Sequence, residues 1–138
     1  MKEINEYDTT YYSSFLFLLN VCIGIYIKDL TYTLLFFCLF LTSVLYRTYN
    51  NNYYLLADKL AIYAIVLYGS YILYKKYTTI PLYIYYCILT TFVLTIVLYH
   101  YGYYTYQFCF DTDAKTGYFY YSFLHCISSI GHTLIMLS

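Results

Sequence analysis

Three histidines, His100, His125 and His132, stand in a chain of 138 residues that is 62% apolar and only 10% charged. In apolar surroundings a charged or titratable side chain is costly, so each is a candidate for chemistry until a partner explains it. Ser43, Arg47 and Asp58 join the histidines on that ground. Ser122, His125, Ser129 and His132 follow a helical spacing and share one face. Seven residues of helix put the imidazoles of His125 and His132 about 10 Å apart along the axis, too far to grip one ion together easily. A metal centre must therefore gather donors from several segments: His125, Asp58 and either His100 or His132. The plainer alternative is a hydrogen-bonding role for the Ser and His residues between helices, with Arg47 and Asp58 compensating each other as a buried ion pair.

The elements that position these residues follow from composition. An ordinary soluble domain carries about 25% charged residues. Seven basic and seven acidic side chains could not cover a globule of this length, so the bilayer must solvate most of the surface. The net charge is zero and no basic run exceeds Lys75-Lys76, which leaves nucleic-acid binding without an electrostatic footprint. Cys22, Cys38, Cys87, Cys109 and Cys126 are scattered singly, mostly within apolar runs. That spacing argues against a disulfide framework or a zinc ribbon.

A membrane-crossing helix needs roughly 17 to 25 mostly apolar residues. After a short polar tail at residues 1–8, spans are expected near 9–27, 30–46, 55–74, 79–99 and 117–137, giving an all-α bundle of about five. The first apolar run, without a basic lead or a small-residue cleavage site, reads as a retained signal anchor. Lys28-Asp29 leaves room only for a tight turn, and the Asn run at 50–52 is the clearest loop. Residues 77–110 contain no Asp, Glu, Lys or Arg. They allow one span followed by a tyrosine-rich interfacial stretch, or two short spans broken at His100-Tyr101-Gly102. The single span is preferred, because the stretch after Tyr99 has few aliphatics. Pro81 then falls near its start, where proline is tolerated.

With five spans, Ser43, Arg47, Asp58, His100 and His125 fall in the same leaflet, on the side of the N-terminus. A double crossing of residues 77–110 would move His125 to the opposite side. Lys2, Arg47, Lys59 and Lys115 on the N-terminal side face Lys28, Lys75 and Lys76 on the other, so the basic residues do not orient the bundle.

The run from Thr42 to Tyr71 (TSVLYRTYNNNYYLLADKLAIYAIVLYGSY) and the later SFLHCISSIGHTL resemble the CREST group of membrane hydrolases. That group includes alkaline ceramidases, the progestin and adipoQ receptors with hemolysin III proteins, and the Per-type GPI-remodelling proteins. The resemblance implies a zinc-dependent amide or ester hydrolase acting on a membrane lipid. Ser43 and Asp58 would be catalytic, and His125 a metal ligand, with His100 or His132 as further donors. Two positions depart from the pattern: Arg47 and Tyr121 stand where imidazole ligands are expected. The competing class is a relative without catalysis, with no cofactor, serving as a membrane scaffold, receptor-like module or homo-oligomer.

Overall fold

A computed structural model describes residues 8–138, and among these every regular element is helical. The order is α1 (Thr9–Ser13), α2 (Leu16–Tyr26), α3 (Leu30–Tyr49), α4 (Asn52–Lys76) and α5 (Leu82–Ile96), then a π-helical turn (Val97–Tyr101) and α6 (Gly102–Thr105). A 3-10 turn (Phe108–Phe110) leads into α7 (Ala114–Leu137). The polar tail expected at residues 1–8 lies outside the described residues except for Asp8, whose carboxylate accepts from the Thr10 N–H and begins α1.

Four stretches are long and apolar enough to cross a membrane: Thr9–Tyr26, Leu30–Tyr49, Asn52–Lys76 and Leu82–Phe110. α7 has 24 residues, which suffices in length. It is not one of the four, because its serines and histidines dilute the apolar content. Those residues are also why it lies inside the bundle, where Ser129, Gly131 and His132 are buried.

Polar residues fix the ends of the helices. Lys28 adopts a left-handed backbone (φ 59°), and Asp29 accepts from the Tyr32 N–H at 2.9 Å to start α3. Asn50 ends α3 in the left-handed region (φ 49°), and Asn51 caps α4 through the Tyr53 N–H at 3.0 Å. Asparagine tolerates that backbone and caps well, so two residues complete the turn. α3 therefore continues past Tyr46 to Tyr49, and α4 starts at Asn52 rather than Leu55. Asp113 begins α7 by accepting from the Thr116 N–H and hydroxyl at 3.0 and 2.6 Å. Those two bonds hold its carboxyl below the usual range.

The first stretch is interrupted at Ser14 and Phe15, between α1 and α2. Ser13 and Ser14 both donate side-chain hydrogen bonds to the Thr10 carbonyl, and such back-bonding competes with the helical ladder. Tight i to i−3 bonds bridge α1 and α2 as a result. Residues 82–110 form a single apolar helical stretch: α5 runs on through the π-turn and α6 before the chain reverses at Tyr106 (φ 55°).

α3 lies between α2 and α4, while α7 packs on α1, α2 and α5 and touches α4. α4 and α5, although consecutive, are not closely packed on each other. The core joins Phe17, Tyr32, Phe36, Leu39, Ile65 and Ile135 with neighbours from every long helix. A Cβ on Gly131 would collide with Thr91 on α5, so that glycine sets the α5–α7 approach, as small residues do between membrane helices. Outward, α2 to α5 expose large apolar side chains such as Leu19, Leu34, Leu67 and Val93. So much exposed apolar surface suits lipid rather than water.

Candidate functional site

The gap between α4 and α5 is a cavity of about 350 Å³, and Ser43, Arg47, Asp58, His100 and His125 all line it. α3 contributes Ser43 and Arg47 one turn apart, and α4 contributes Asp58 and Lys59. The π-turn after α5 contributes Tyr99 and His100, and α7 contributes Tyr121 and His125. The exposed members of the lining include Tyr63 on α4, Ile96 on α5 and His100, which places the mouth at the α4–α5 seam. Charged groups gather toward the Arg47 end. Leu39, Ile65, Val66 and Phe92 line the deeper end.

The Ser43 hydroxyl donates to Asp58 Oδ1 at 2.5 Å, and the Thr42 hydroxyl donates to the same oxygen at 3.3 Å. Both donors come from α3, so they tie α4 to α3 where the carboxylate enters the bundle. The ion pair expected between Arg47 and Asp58 is not closed: among the described residues no contact within salt-bridge distance joins them. The Arg47 guanidinium instead lies over the Tyr121 ring, 5.0 Å from its centroid, and near Tyr46 at 5.3 Å. The physical reason is local satisfaction, since two hydroxyls already serve the carboxylate and two aromatic faces are within reach of the long arginine. Lys59 is held in the same way, with Nζ 3.9 Å from the centroid of Tyr99. Such contacts contribute about 0.5–2 kcal/mol, more when water is excluded.

His125 Nδ1 is 2.8 Å from the Ser13 hydroxyl, and its ring packs on Phe17 with centroids 5.0 Å apart. His132 belongs elsewhere. It is buried at the other end of α7, with Nδ1 3.2 Å from the Tyr32 hydroxyl and its ring among Phe36, Phe92 and Tyr32. The seven-residue separation along α7 takes it out of the cavity.

The donors do not fit a zinc centre. Among the described residues no three His, Cys, Asp or Glu side chains stand close enough to hold one ion. Arg47 and Tyr121, which occupy the two positions where the resemblance expects imidazoles, are in cation–π contact with each other.

Sequence reasoning did not assign Tyr46, Tyr99 or Tyr121 as the partners of the two cations, nor Ser13 and Thr42 as the partners of His125 and Asp58. With 25 tyrosines in the chain, nothing in the sequence marks which ones face the cavity. No family model, no curated protein and no solved structure matches the chain.

Proposed function

We propose that the chain is a multi-pass integral membrane protein of five spans whose cavity accepts a lipid-sized ligand from one leaflet. It acts as a receptor-like or scaffolding protein rather than as a metal-dependent hydrolase. The observation that carries this reading is the graded cavity: charged and aromatic groups at one end, aliphatic walls at the other, and a mouth between two helices with lipid-compatible faces. Its volume of about 350 Å³ is at the lower end of the range for small-molecule sites. An amphiphile can enter sideways, with its chain among Leu39, Ile65 and Phe92 and its polar head toward Arg47 and Asp58.

The Ser43–Asp58 bond favours a second reading, hydrolysis of a lipid amide or ester as the resemblance implies. Ser43 would then donate to the developing oxyanion, and Asp58 would orient water. This arrangement lacks an imidazole bonded to Ser43, since His125 is engaged by Ser13.

Metal content and bound lipid in detergent-purified protein separate the two. The receptor-like reading expects well under one zinc per chain and one retained lipid-mass adduct by native mass spectrometry. The adduct should disappear in Val66→Trp, which fills the aliphatic end. About one zinc per chain, lost in His125→Ala, would restore the hydrolase reading.

A further inference from the structure

Three charged side chains line the cavity: Arg47 and Lys59 are cationic and Asp58 is anionic. The sum is one positive charge in excess with neutral histidines (two minus one). Asp58 is engaged by the hydroxyls of Ser43 and Thr42. Neither cation is joined to it within salt-bridge distance. Each lies instead on a tyrosine face, Arg47 on Tyr121 and Lys59 on Tyr99. A guanidinium held by a ring face spends no N–H on a carboxylate, and its five donors remain suited to fork onto an anion. An ammonium over a ring likewise keeps donors turned away from it.

We infer that the cavity's ligand is a single-chain amphiphile with an anionic head, held between Arg47 and Lys59, with its alkyl chain lying toward Leu39, Ile65 and Phe92. This names the ligand class of the lipid-binding reading above and rests on it. An unbalanced cation within a membrane bundle is costly, and an anionic head offsets it where a neutral head would not. A cationic amphiphile is disfavoured for two reasons. The cavity already carries excess positive charge, and the tyrosine faces that would form its cage already hold Arg47 and Lys59. Alkyl carboxylates and alkyl phosphates share the required chemistry.

The test is binding of four probes to the full chain in an uncharged detergent: hexadecanoate, hexadecyl phosphate, hexadecanol and hexadecyltrimethylammonium. At least one of the two anions should bind about tenfold tighter than the alcohol, with the ammonium weakest. Whichever anion leads identifies the head. Arg47→Gln and Lys59→Gln should each weaken the anion about tenfold and leave the alcohol unchanged, while Arg47→Lys keeps most of the preference. Melting of each variant, read beside its retained affinity for hexadecanol, shows whether the bundle is intact. Equal binding of anions and alcohol, or full anion affinity in both Gln variants of an intact bundle, overturns the anionic-head inference and leaves lipid binding standing. If none of the four probes binds, the lipid-binding reading fails, and this inference falls with it.

Discussion

At the scale of the residue, the cavity's charges are governed by what satisfies each one locally. Asp58 accepts from two hydroxyls of the neighbouring helix, and a hydrogen bond to a charged group is worth about 1.5–3 kcal/mol. Ser43→Ala should therefore lower stability by about that amount in a detergent melt, and Thr42→Ala by less, because its bond is longer. Arg47 and Tyr121 should show a favourable coupling of about 0.5–2 kcal/mol in a double-mutant cycle, with Tyr121→Phe close to the parent and Tyr121→Leu at a loss. Arg47→Gln with Asp58→Asn should instead be nearly additive; a coupling of several kcal/mol would mean that they form an ion pair after all. Near His132 the packing is tight: a Cβ on Gly69 would lie 2.6 Å from the imidazole Cε1 and 2.9 Å from the Tyr32 hydroxyl. Gly69→Ala should then cost about 1–3 kcal/mol through overpacking, and His132→Ala should cost less in that background than in the parent. The meeting of Ser43, Arg47, Asp58, His100 and His125 was legible in the sequence, because apolar surroundings single out polar residues. Their individual partners were not, because hydroxyl and aromatic groups occur on almost every helical face.

At the scale of the element, α7 shows how a helix too polar for lipid finds its place. Asn20 on α2 donates to the Ser129 carbonyl at 3.2 Å and to the Thr133 hydroxyl at 3.0 Å, and it accepts from the Ser129 hydroxyl at 2.6 Å. Single interhelical bonds in membranes are worth about 0.6 kcal/mol on average and up to about 1.7. Replacing Asn20 with Ala should therefore cost about 1–3 kcal/mol, whereas Ser70→Ala should be nearly neutral, since Ser70 bonds only within its own helix. The face formed by Ser122, His125, Ser129 and His132 was visible in the spacing, and so was the value of Gly131 in a close helix approach. The interruption at Ser14 and the π-turn at Val97–Tyr101 were not, because each depends on which of several backbone ladders wins locally. π-bulges often mark sites of function, and this one carries Tyr99 and His100 into the cavity lining.

At the scale of the whole molecule, the arrangement hinges on how many times residues 77–110 cross. A single crossing keeps the loop at Asn50-Asn51 and the loop at 106–113 at the same end of the bundle and puts residues 77–81 at the other. The cavity can form only with that parity, since it needs Arg47, Asp58, His100 and His125 at one end. Composition and run length made the helical membrane bundle legible. They did not fix the crossing number, because the tyrosine-rich stretch is apolar enough to lie in lipid and polar enough to lie at its surface. Single-cysteine accessibility, in a background with the five native cysteines replaced, tests this most directly. With a membrane-impermeant thiol reagent, Asn52→Cys and Thr112→Cys should label from one face of sealed vesicles and Thr78→Cys only from the other. Labelling of Thr112→Cys from the same face as Thr78→Cys would contradict the bundle and dissolve the cavity with it.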